Sequence, residues 1–139
     1  MMKNVTYSVL LGALLLALLG MGVGNTESVA AYKKISASEA KAFMDSGEPY
    51  ILLDVRTDEE FQERHIQGAI LIPYTEIKNR AASELPNTDA LILIYCRSGR
   101  RSAIAANELV PLGYSRVYDF GGITDWPYGT MTGSSREKQ

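Results

Sequence analysis

The sequence predicts an α/β fold of three layers, with a central, mostly parallel sheet flanked by helices on both faces. Three observations carry this. Beyond residue 31, short apolar runs alternate with segments of helical period, and the connections between them are short. The run ALILIYC at residues 90–96 is almost continuously apolar, which suits a strand covered on both faces and therefore central in a parallel sheet. The 139 residues, 46% of them hydrophobic, suffice for one domain with a real core.

The elements follow in chain order. Residues 1–31 read as an export signal: MMKN carries a positive charge, Val9 to Val23 is an unbroken apolar run, and Val29 and Ala31 are small residues suited to cleavage after Ala31. An uncleaved anchor is the alternative, since counting back to Val5 nearly supplies the roughly 20 apolar residues that a membrane span needs. Both place the domain outside the cytoplasm, and only the anchor would give it a membrane partner. The domain itself is assigned to residues 32–130.

SASEAKAFMDSG predicts a helix, opened by Ser36 and Glu39 at capping-box spacing and ended at Gly47. YILLDV is a buried strand closed by Asp54, and TDEEFQERH a short helix with Thr57 and Glu60 again at capping-box spacing. GAILIP, between Gly68 and Pro73, is a third apolar run and reads as a strand. YTEIKNRAASEL is helical up to the turn PNTD. After the central strand, SGRRSAIAANELVPLG predicts a helix with Ala103, Ile104, Leu109 and Val110 on its apolar side, weakened at Pro111 and ended at Gly113. SRVYDF is the last strand, Tyr118, Phe120, Trp126 and Tyr128 belong to core and rim, and residues 131–139 lack apolar period and read as a frayed tail.

Composition excludes some functions. A formal net charge of -2 argues against a nucleic-acid partner bound by broad phosphate neutralisation, so any basic site must be local. His65 is the only histidine, which excludes a multi-histidine metal site and means that a Cys-His pair would have to use this residue. Cys96 is the only cysteine and cannot close an internal disulfide, so in an exported protein it is either an inert core residue or a reactive thiol.

The neighbours of Cys96 favour reactivity. Open α/β sheets bind ligands at the carboxyl ends of their strands, where Cys96 stands. A strand-turn-helix unit with small residues in the turn gathers backbone N–H groups and the positive end of a helix dipole into an anion cradle, which lowers a thiol's pKa. Arg97, Arg100 and Arg101 should act in the same sense, and cations at a helix N-terminus call for an anion beside them. Asp54, at a strand end, could pair with Arg56 or with an arginine of the loop.

These motifs, in order, resemble a single-domain rhodanese, the sulfurtransferase fold, across essentially the whole exported portion. The resemblance rests on Asp54 and Arg56 in Asp-x-Arg, His65 to Ala69 in His-x-x-Gly-Ala, the Cys96 loop, and Gly121 to Trp126 in Gly-Gly-x-x-x-Trp. The apparent signal peptide and the short length resemble periplasmic members. The resemblance implies that Cys96 takes a sulfane sulfur from a small anionic donor such as thiosulfate, polysulfide or a persulfide. It would hold the sulfur as a persulfide and pass it to a thiophilic acceptor: cyanide, a thiol or a partner protein.

The loop Arg97, Ser98, Gly99, Arg100 and Arg101 would wrap the persulfide, with Asp54 supporting the loop and His65 structural. No cofactor or metal is implied. The nearest alternative is a rhodanese-fold cysteine phosphatase or arsenate reductase. Those resemble Cys-x5-Arg, whereas Arg101 here gives Cys-x4-Arg, with Ser102 where the longer loop would end. A non-catalytic docking module is the other, and it is disfavoured because cysteine and loop are both present.

Overall fold

The computed structural model describes residues 31–134. The leader expected over residues 1–31 lies outside them apart from Ala31, as do residues 135–139 of the expected tail. Among the described residues no helix is long and apolar enough to cross a membrane.

Five parallel strands form one sheet: β1 (Lys33–Lys34), β2 (Tyr50–Asp54), β3 (Ile70–Leu71), β4 (Leu91–Cys96) and β5 (Val117–Gly122). Their spatial order is β1-β5-β4-β2-β3, so β4 is central, as its continuous apolar character requires. All six β4 residues are buried. Side chains alternate across a strand. Accordingly Ile92, Ile94 and Cys96 join one core with α3 (Ile77–Glu84) and α4 (Arg100–Leu109), while Leu91, Leu93 and Tyr95 join the other with α1 (Ala37–Asp45) and α2 (Asp58–Glu63). Burying each large aliphatic side chain contributes about 1.5–3 kcal/mol.

Both anticipated capping boxes are present. Ser36 Oγ accepts the Glu39 N–H and Glu39 accepts the Ser36 N–H at the start of α1. Thr57 and Glu60 do the same for α2.

Four details differ from the sequence reading. The edge strand β1 was not foreseen, because two exposed lysines carry no alternation, and backbone pairing to Tyr118 and Asp119 alone defines it. The helix expected from Tyr74 is a 3-10 turn at Tyr74–Glu76 followed by α3, since Pro73 precedes the turn and leaves it without a side-chain cap. The buried residues of α4 are Ser102, Ala105, Ala106 and Leu109, not the Ala103, Ile104 and Val110 side. Small residues face the sheet there because helix and strand approach closely. Finally, Met131 exchanges two backbone hydrogen bonds of 2.8 Å with His65, and the Gly133 N–H reaches Gln62 O at 2.9 Å. The first residues assigned to the tail are thus paired with the end of α2 and the residues after it.

Candidate active site

Cys96 closes β4, and the chain turns through Arg97, Ser98 and Gly99 into α4. Gly99 has φ +116, a conformation L side chains rarely adopt, and it lets the chain turn sharply enough to aim its N–H back at Cys96 Sγ, 3.0 Å away. Ser102 Oγ lies 3.5 Å from the same sulfur and within reach of Gly99 O (3.1 Å) and Gly121 O (3.3 Å). The hydroxyl can therefore accept from the thiol, or turn and donate to a thiolate.

Burial pushes the Cys96 thiol pKa up, but hydrogen bonds from Ser102, Gly99 and Ser98 outweigh it, and the net shift is downward. Cys96 is 1% exposed and sits on the floor of a depression of about 440 Å³ lined by Thr57, Tyr74, Arg97, Ser98, Arg100 and Arg101.

The three arginines are not equivalent. Arg101 donates from both terminal nitrogens to Glu60, at 2.7 and 2.8 Å, forming a fork across 41 positions of sequence. That pair holds the Glu60 carboxyl at about 2 and raises the Arg101 pKa. Arg97 and Arg100 are exposed, and among the described residues neither is within ion-pair distance of a carboxylate. The Arg100 guanidinium lies 5.9 Å from the centre of the Tyr74 ring at the rim. Arg101 acts in the expected sense, its charge and that of a Cys96 thiolate favouring each other. Hydrogen bonds are nonetheless the leading favourable cause, with Arg101 shared with Glu60 and water screening the exposed Arg97 and Arg100.

Asp54 resolves to the first of its two possible partners. Its buried carboxylate takes two bonds from Arg56 Nε and one from Arg56 Nη2 (2.6 Å), as well as the Arg56 backbone N–H. Arg56 Nη2 also donates to Arg64 O, and its guanidinium lies 5.6 Å from the Tyr95 ring centre. Tyr95 Oη in turn accepts the Ile66 N–H. This buried network joins the end of β2 to the segment after α2. The carboxylate that grips the loop is Glu60, not Asp54.

His65 is 2% exposed, donates from Nδ1 to Phe61 O at 2.8 Å and stacks on the Phe61 ring at 3.8 Å. It packs as a structural residue and makes no hydrogen bond to Cys96.

The sequence reading missed Glu60, Ser102, Asp119 and Thr124. Glu60 was noticed only as a helix cap, and Ser102 only as the residue after a short loop. Asp119, 3% exposed, accepts the Gly121 N–H behind the loop, and burial raises its carboxyl pKa despite that bond. Thr124 binds Arg97 O. The Glu60 and Thr124 contacts span 41 and 27 positions of sequence, and the nearer contacts of Ser102 and Asp119 depend on the turn of the chain, so no local pattern announces them.

Comparison with known proteins bears on this geometry. Residues 36–127 match the family described as Rhodanese-like domain. The chain is 41% identical over 73 residues to thiosulfate sulfurtransferase PspE of Escherichia coli, covering 52% of this chain and 70% of that one. It is 39% identical over 100 residues to thiosulfate sulfurtransferase 18 of Arabidopsis thaliana, covering 63% and 72% respectively. Among solved structures, a rhodanese with anions from E. coli superposes with a TM-score of 0.58 at 36% identity, covering 61% of this chain and all of that one.

Proposed function

The chain belongs to the rhodanese-like family, whose named relatives make it a sulfurtransferase in general terms, and from that premise we propose that it carries sulfane sulfur as a persulfide on Cys96. In the first step the Cys96 thiolate attacks the outer sulfur of thiosulfate. A new S–S bond forms to Cys96, the original S–S bond breaks, and sulfite leaves with its electron pair. In the second, an acceptor nucleophile attacks the terminal sulfur and Cys96 departs as thiolate. Cyanide gives thiocyanate, and a thiolate gives a new persulfide.

Protons need not move at Cys96, so no general base is required. The Gly99 and Ser98 N–H groups and the Ser102 hydroxyl favour the thiolate and would equally favour the persulfide anion. Arg97 and Arg100, free of carboxylates at the rim, would draw in the anionic donor. The open depression also leaves room for a partner protein's thiol as acceptor. Export, read from the leader, completes the proposal, and fractionation of the producing cell checks it.

The observation that carries this reading is the pair of hydrogen-bonding groups on one sulfur at a strand's carboxyl end: the Gly99 N–H, which donates at 3.0 Å, and Ser102 Oγ at 3.5 Å, which accepts from the thiol and can turn to donate to the thiolate. The test is the intact mass of the purified protein before and after thiosulfate, with Cys96→Ser in parallel and cyanide added last. A gain of one sulfur on the wild type alone, released by cyanide as thiocyanate, is the expected result. A Cys96→Ser protein that still makes thiocyanate sinks the assignment. No gain with thiosulfate or polysulfide, together with hydrolysis of a phosphate ester, would establish the oxyanion alternative.

A further inference from the structure

The Gly-Gly-x-x-x-Trp segment is left without a task by the chemistry above, yet it touches the loop directly. Gly122 pairs with Cys96 at the end of the β4–β5 ladder, where the register shifts. Its backbone is ordinary extended chain, φ -137 and ψ 151, which any residue can adopt. Glycine is required there for another reason. A Cβ on Gly122 would fall 2.6 Å from both the Arg97 carbonyl carbon and Ser98 Cα, and nearer still to the Arg97 oxygen. Two residues on, Thr124 donates to that same oxygen twice, from its backbone N–H at 3.3 Å and from Oγ1 at 3.0 Å.

A trans peptide points its C=O and its N–H in opposite directions. Fixing the Arg97 oxygen outward on Thr124 therefore fixes the Ser98 N–H inward, on the side of the Cys96 sulfur, where it is one of the groups that favour the thiolate. The opposite orientation would put a carbonyl oxygen against an anion.

We propose that Gly122 and Thr124 are positioning residues that hold the Arg97–Ser98 peptide with its carbonyl turned outward and its N–H turned onto Cys96. Gly122 gives the peptide room to lie flat on the end of β5, and Thr124 locks its orientation. Neither touches the donor. This rests on the persulfide reading for its consequence in turnover, but not for its effect on Cys96 itself.

The test uses Thr124→Val, Thr124→Ser and Gly122→Ala in the full chain. The primary readout is the pH dependence of iodoacetamide alkylation of Cys96, which needs no sulfur donor. The second is single-turnover sulfite release. Thr124→Val, which keeps shape and the backbone bond, is expected to raise the alkylation midpoint by about half a pH unit and slow sulfite release about threefold to tenfold, the range for one lost hydrogen bond. Thr124→Ser should restore both. Gly122→Ala should slow sulfite release on the order of 100-fold through overlap with the loop, and the valine variant keeps the proposal testable if that protein does not fold.

A Thr124→Val profile that superimposes on the wild type overturns the proposal, as does a Thr124→Ser profile shifted as far as the valine. A shifted midpoint in a protein whose wild type takes up no sulfur would sustain the positioning role while the sulfurtransfer reading failed.

Discussion

A cysteine with 1% of its surface exposed ordinarily keeps its proton, because burial disfavours the charged form. At Cys96 short hydrogen bonds reverse that. Ser102 has one hydroxyl proton and three acceptors in reach, Gly99 O, Gly121 O and the sulfur, so ionisation of the thiol decides which of them receives it. Ser102→Ala takes from the thiol a weak S–H···O bond and from the thiolate a stronger charge-assisted O–H···S bond, so the charged form loses more. The alkylation midpoint should rise by about half to one pH unit. Since the thiolate is the reactive form, sulfur uptake should fall on the acid side of the rate profile, while wild type and variant converge at its alkaline end where both are ionised. A constant rate ratio across pH would refute this role. The sequence placed the thiol at a strand end beside small residues. It did not single out Ser102, since a serine in the first turn of a helix is commonplace.

Between elements, the decisive contact is Glu60 on α2 with Arg101 on α4. Glu60 serves twice, accepting the Thr57 N–H that caps α2 and the Arg101 fork that anchors the loop. Its folded pKa of about 2 lies below the usual value near 4.3, so it binds its proton more weakly folded than unfolded. The pair's stabilisation is therefore complete above about pH 5 and is lost as pH falls towards 2. With the carboxylate a quarter exposed and partly screened, that amounts to about 1–2 kcal/mol. Glu60→Gln keeps a residue competent for the capping box and removes the charge. Urea unfolding should find the variant less stable by that amount at pH 6 and nearly level with the wild type at pH 2.5. An equal gap at both values would show that the charge contributes nothing. Both capping boxes were legible in sequence because a cap is settled within four residues. The fork was not, because 41 positions separate its partners.

For the whole molecule, two cores on opposite faces of one sheet meet at β4, and the chain closes by pairing Met131 and Gly133 back onto His65 and Gln62. Ending the chain at Thr130 rather than Gln139 deletes the three backbone hydrogen bonds of Met131 and Gly133. It should cost about 1–3 kcal/mol in urea unfolding, with the Cys96 alkylation midpoint unmoved because the closure lies away from the loop. Unchanged stability would mean that the pairing adds nothing. The sequence by itself determined the α/β class, the central place of β4, both capped helices and the thiol at a strand's carboxyl end. Those follow from periodicity, caps and turn chemistry, which act over a few residues. Only the tertiary structure decided the Glu60 fork, the Ser102 contact, the Gly122 and Thr124 seat of the loop, the edge strand β1 and the closing pair at Met131. The fork, the loop's seat, β1 and the Met131 pair each need segments far apart in sequence to be brought together, and the Ser102 contact needs the turn that aims it back at Cys96. A glutamate, a serine or a threonine carries no local mark of the partner it will meet.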